Sequence, residues 1–154
     1  MTISTHMAIG ATIGLVLQNP LLAFIAGFTS HFIVDIIPHG DSKMAERLKV
    51  HKQKLIPYTY GVLDYMIAYY VLLAFLNLKT INNMPAFTLA IAGSLLPDLL
   101  VVVYEASKGK LFRKFYNFHF YFHDMLVSKT GDMKLAYGIT YQAIFIILLL
   151  QIGR

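Results

Sequence analysis

The sequence predicts an all-α fold: a polytopic membrane helix bundle of about five spans in a single domain, residues 1–154, with an additional aromatic and basic helix lying in the interface. Three observations predict it. Of the 154 residues, 57% are hydrophobic and 14% are charged, about half the charged share of a soluble domain. The mean hydropathy is +0.61, more apolar surface than a core of this size can hide, which makes lipid part of the solvent. The apolar residues also fall into runs punctuated by Pro, Asn and charged clusters, with no strand-like alternation.

The first run follows Met1-Thr2-Ile3-Ser4-Thr5-His6, which lacks the basic lead and cleavage site of a secretory signal and is therefore expected to stay in the protein. Ser4 or Thr5 is expected to cap a helix that runs to about Gln18, where Asn19 and Pro20 break it. Pro20 suits the first turn of the next run, residues 21–37. A polar basic stretch, 42–54, follows, with Met44, Leu48 and Ile56 able to lie on a membrane surface. The third run covers 58–78, the fourth 86–104 and the fifth about 135–152. Between the last two, residues 110–123 interleave rings with Lys110, Arg113 and Lys114, the pattern of an interfacial helix with its cations toward headgroups. The same pattern can stack nucleic-acid bases, but the flanking spans already account for the rings, and no nucleic-acid partner is expected.

A run of 15 to 20 residues makes a helix of roughly 22 to 30 Å, so the first is marginal against a hydrocarbon core of about 30 Å and is either a span or re-entrant. Gly10 and Gly14 share one face of it and predict a close helix contact. A faint echo links Ala26-Gly27 with Ala92-Gly93. With five spans, Lys43, Arg47, Lys49, Lys52, Lys54, Lys108, Lys110, Arg113, Lys114, Lys129 and Lys134 fall on one side, and only Lys79 and Arg154 on the other. The positive-inside rule then places the N-terminus and both long loops in the cytoplasm, in the cytoplasmic membrane of the cell.

The chain has no Cys, so chemistry rests on 6 His and 8 acids. His6, His31, Asp35, His39, Asp64, Asp98, His119 and His123 all map to the cytoplasmic end of this arrangement. His31 with Asp35, and His119 with His123, are spaced i, i+4, so each pair can offer two ligands to one cation. Ionisable groups within spans are costly and mark function, and Pro97 breaks backbone where a polar cavity would tolerate it. The predicted metal ligands are His6, His31, Asp35, Asp98, His119 and His123. Further ligands or orienting groups are His39, Asp64 and Asp124; a turn with Asp41 capping the next helix is the alternative for His39 and Asp41, and a helix-to-helix bond the alternative for Asp64. His51, among lysines, reads as a solvated loop residue.

These pieces, Thr5-His6, the stretch from Gly27 through Ser30-His31 and Asp35 to Pro38-His39, Leu95-Leu96-Pro97-Asp98 and the His119/His123 pair, resemble the small membrane-bound metal-dependent hydrolases and, more distantly, the zinc-dependent phospholipase C superfamily. The resemblance runs from His6 to His123 in short pieces. It departs from those families in having no Trp, in the order of its Pro-Asp and Ser-His-x-x-x-Asp elements, and in lacking a His-Arg-x-x-Thr-His stretch. The resemblance implies a metal-dependent hydrolase with a phosphoester of a lipid or lipid-linked substrate as the favoured class.

The expectation is therefore a hydrolase of the inner leaflet that holds one or two divalent cations, zinc favoured, with Asp35 and Asp98 as the catalytic carboxylates. Lys110, Arg113 and Lys114 would hold the headgroup of a lipid-like phosphoester. The alternative is a non-catalytic metal-binding membrane protein, a sensor or a structural scaffold.

Overall fold

The computed structural model describes residues 1–41 and 55–152. Among them the chain forms six helices and no strand: α1 (Ile3–Val16), α2 (Pro20–Asp35), α3 (Leu55–Leu78), α4 (Met84–Ala106), α5 (Arg113–Thr130) and α6 (Leu135–Gln151). The basic stretch 42–54, with His51, and the terminal Arg154 lie outside the described residues.

Local chemistry sets the boundaries. α1 starts earlier than expected because Thr2, not Ser4 or Thr5, caps it: the Thr5 amide donates to Thr2 Oγ1 at 3.3 Å, while the Ser4 hydroxyl is spent on Asp64. Asn19 caps α2 by accepting from the Leu22 amide at 3.0 Å, with Pro20 as its first residue. Asn83 does the same for α4 at the Ala86 amide. α5 begins at Arg113, so Lys110 sits in the preceding turn, where Lys108 and Phe112 both take left-handed backbone.

Two helices, α3 with 24 residues and α4 with 23, are long and apolar enough to cross a membrane. Their most apolar windows are only 22% and 33% buried, unlike core helices of a soluble fold. α1, α2 and α6, with 14, 16 and 17 residues, reach about 21 to 26 Å at 1.5 Å per residue. On length, the expectation of five spans is met by two helices.

The bundle is organised around α4, which packs most extensively on α2 and then on α1, while α1 also touches α3 and α6. A Cβ on Gly27 would stand 2.2 Å from the Ala90 carbonyl oxygen, and one on Gly93 would stand 2.3 Å from that of Phe24. The two halves of the Ala-Gly echo are therefore each other's partners, and only Gly lets the backbones of α2 and α4 approach so closely. Gly10 plays a similar part between α1 and α4, its face lying on Ser94 and Ala90. Away from this crossing, Ala8, Val71, Phe75, Phe87 and Ile146 form the apolar core. α5 lies across the ends of α2 and α4, held by Phe32, whose ring meets Phe115, Phe118 and Phe122 at 5.2 to 6.2 Å.

Candidate metal centre

The glycine crossing sets the first group of ligands. One turn beyond Gly27 comes His31 and a further turn brings Asp35; five residues beyond Gly93 comes Asp98. α5 closes the group with His119, its buried residue. His31, Asp35, Asp98 and His119 each present a ligand atom, and these atoms lie within 4.8 Å of one another. His31 Nε2 stands 3.1 Å from Asp35 Oδ2 and 3.6 Å from Asp98 Oδ1, and His119 Nε2 stands 3.8 and 3.9 Å from the same two oxygens. His6 borders the group through the other oxygen of Asp35, at 3.1 Å, with its ring stacked on His31 at 3.9 Å. The Met1 nitrogen meets that same Asp35 Oδ1.

The donor set suits a cation. His31 Nδ1 lies 2.8 Å from the Ser94 carbonyl, which can only accept, so Nδ1 carries a proton and Nε2 is the nitrogen that faces the carboxylates, a ligand atom when the imidazole is neutral. Pro97, whose missing amide leaves the Gly93 carbonyl without its helical partner, loosens α4 beside that contact. The Nε2 atoms of His6, His31 and His39 are buried without a hydrogen bond, as is Nδ1 of His119. Each unpaired buried polar atom costs about 1 to 3 kcal/mol, a cost that ligation removes at the Nε2 atoms, whereas at His119 it is Nε2, not the unpaired Nδ1, that faces the carboxylates. Burial lowers the His119 imidazole to about 4, which keeps it neutral at ordinary pH as a ligand must be.

A second group follows: His39, Asp41 and His123, again with ligand atoms within 4.8 Å of one another. His39 Nε2 is 3.0 Å and His123 Nε2 is 3.4 Å from Asp41 Oδ1. His39 Nδ1 lies 2.7 Å from the Ile37 carbonyl and His123 Nδ1 lies 3.3 Å from Asp124 Oδ1, so in both rings Nε2 is the nitrogen that faces Asp41. Burial alone would raise the Asp41 carboxyl, but the imidazoles of His123 and His39 outweigh it and hold it well below the usual carboxylate range. Gly40, at φ +85°, turns the chain between His39 and Asp41, and its amide donates to Asp132 Oδ1 at 2.8 Å. Gly138 of α6 admits this turn: a Cβ there would stand 1.9 Å from the His39 carbonyl oxygen.

His119 and His123, whose spacing suggested two ligands to one cation, therefore fall in different groups. Their rings are 6.3 Å apart, and each serves a different group, because α5 crosses both the α2–α4 pair and the turn after α2. Asp64 stands apart from both groups. It accepts from the Ile3 amide, the Ser4 amide and the Ser4 hydroxyl at 2.6, 3.2 and 2.6 Å, an anion at the N-terminus of α1. Asp124 is an orienting group for His123. Lys110, Arg113 and Lys114 are exposed around the start of α5. Asp41 joins the second group through the Gly40 turn; the stretch Pro38-His39-Gly40-Asp41 suits a helix cap as well as ligation, and the fold selects the latter placement.

No family model, curated protein or solved structure matches this chain.

Proposed function

We propose that the protein is a membrane-embedded, metal-dependent hydrolase acting on a phosphoester of a lipid or lipid-linked substrate, as its resemblance to the membrane-bound hydrolases implies. In this reading α1, α2 and α6 cross a locally thin bilayer with α3 and α4, five spans in all, and the His/Asp groups face the cytoplasm beside the basic loops. The observation that carries it is the convergence of buried imidazole nitrogens without hydrogen bonds on the carboxylates of Asp35, Asp98 and Asp41.

Imidazole and carboxylate without thiolate suit zinc. Zinc, when bound, supplies a water of lowered pKa and polarises a phosphoryl oxygen. Asp35 is enclosed and sets the positions of His6, His31 and His119. Asp98, 27% exposed, is the carboxylate of its group that a substrate can reach. It takes a proton from the attacking water as oxygen adds to phosphorus, and returns it to the alkoxide released when the ester P–O bond breaks. Arg113 and Lys114 attract the anionic headgroup from the exposed start of α5, with Lys110 before them.

A structural reading has its own support: the two groups tie α2, α4, α5 and the turn after α2 together, as a scaffold's metal would. Turnover separates the two. Protein purified without chelator is expected to hold at least one equivalent of zinc by elemental analysis and to hydrolyse a phospholipid, with Asp98→Ala inactive. Fully metallated protein inert toward phospholipids, phosphomonoesters, phosphodiesters and carboxyl esters would leave the scaffold reading; less than about 0.1 equivalent of metal, against the full equivalent of a structural or catalytic site, would overturn both.

A further inference from the structure

α3 and α6 both pack on α1 but make no extensive contact with each other. The gap between them is a cavity of about 190 Å³. Leu63 and Ile67 form one wall, Ile139, Ala143 and Ile146 the other, and the first turn of α1 the floor. From 139 to 146 the cleft extends about 10 Å along α6.

The floor carries Thr2, Ser4, Asp64 and Gln142, yet these groups are committed to one another. Gln142 Oε1 accepts from the Thr2 amide at 2.8 Å, the Thr2 hydroxyl at 3.0 Å and the Thr5 hydroxyl at 3.2 Å, and its Nε2 donates to the Gly138 carbonyl at 3.0 Å. Asp64 is filled by Ile3 and Ser4. What the cleft offers an occupant is therefore hydrocarbon. Its lips are apolar as well, with Leu63 53% and Ile67 51% exposed on α3 and Ile139 42% on α6. It opens sideways, toward lipid in the membrane reading. At its inner end, Thr2 adjoins Met1, whose nitrogen meets Asp35 of the first group.

We infer that the α3–α6 cleft holds an acyl chain of a bilayer phospholipid, placing that lipid's phosphate beside the first His/Asp group. The acyl-chain site stands on the geometry of the cleft; the placement of the phosphate rests on the hydrolase reading, and makes a diacyl lipid, rather than a soluble phosphoester, the substrate class. Hydrocarbon complements these walls, whose one polar group outside the floor is the Tyr60 hydroxyl, and a chain entering from the bilayer need not leave an apolar environment.

The experiment reconstitutes the whole protein in phosphatidylcholine vesicles doped with a phosphatidylcholine carrying a diazirine on one acyl chain, then maps crosslinks by peptide mass spectrometry. Enrichment is expected at Leu63, Ile67, Ala143 and Ile146 over exposed apolar positions on the far sides of the same helices, Leu76 and Leu148. Ala143→Phe is expected to cut cleft labelling by about tenfold, the loss for denying the contacts of about two methylene groups, while bound metal stays unchanged. Uniform labelling of the exposed apolar faces of the unmutated protein would overturn the inference, and needs no variant to fold. Labelling in the cleft without turnover would sink the hydrolase reading and leave the acyl-chain site standing. Turnover without cleft labelling would do the reverse.

Discussion

The two His/Asp groups use similar side chains but are held in different ways. The first, His31, Asp35, Asp98 and His119, is built from three regular helices whose backbones are locked by the Gly27–Gly93 crossing, and all its members except Asp98 are buried. The second, His39, Asp41 and His123, hangs on a four-residue turn and one helix, with His123 and Asp41 half-buried. Packing preorganises the first; the second depends on Gly40, Asp132 and the admission of the turn by Gly138. Preorganised ligands in a dry setting bind more tightly and contribute more to the fold, so the first group is expected to be the high-affinity and structural partner, and the second the exchangeable one.

The sharpest way to break that contrast is at Asp35. Asp35→Ala removes the partner of His6, His31, His119 and the Met1 nitrogen at once. It is expected to abolish metal at the first group and to destabilise the protein by about 3 kcal/mol or more, as breaking a buried ionic contact does. Thermal unfolding in detergent with elemental analysis reads both. A stable, fully metallated variant would remove Asp35 from the centre.

Gly27→Ala tests whether the helix crossing is what preorganises the first group. Its methyl would press on the Ala90 carbonyl, a backbone group that cannot turn aside, at an expected cost of about 1 to 3 kcal/mol. Metal is expected to be lost from the first group before the second. Equal loss from both would mean that the groups share one scaffold and that the contrast is false.

Asp41→Ala should act the other way. It is expected to remove one equivalent of metal while leaving the first group filled, with a stability loss of about 1 to 3 kcal/mol, below that at Asp35, from the buried His39 nitrogen left without its carboxylate. Loss of all metal in this variant would show a single coupled centre. The smallest effect belongs to Asp124→Ala, which leaves the fold intact but frees the His123 ring. Metal affinity at the second group is expected to fall by about tenfold, measured by competition with a chelator, and the first group should not respond.

Much of this was legible in the residues themselves. The helical character of α1 to α4 and α6 follows from the apolar runs and that of α5 from its interleaved rings and cations, and the breaks at Asn19-Pro20 and Asn83 follow from capping chemistry that acts within a few residues. The i, i+4 spacing of His31 and Asp35 put both on one face, where the structure has them in one group. The same rule failed for His119 and His123. Spacing along a helix says which side chains are neighbours, but not whether a neighbouring helix end and a turn will each claim one of them.

The sequence alone determined the local and compositional facts: an all-helical chain, apolar faces exceeding what its own core can cover, and ionisable residues gathered toward one end, because propensity, capping and burial cost act on residue type. Tertiary structure alone decided how those ionisable residues were divided. The meeting of Gly27 with Gly93, the choice of Asp64 as the anion at the start of α1, and the turn of Gly40 against Gly138 bring together residues 60 or more apart in the chain. Such contacts depend on how whole helices pack, and no local pattern of residues specifies that.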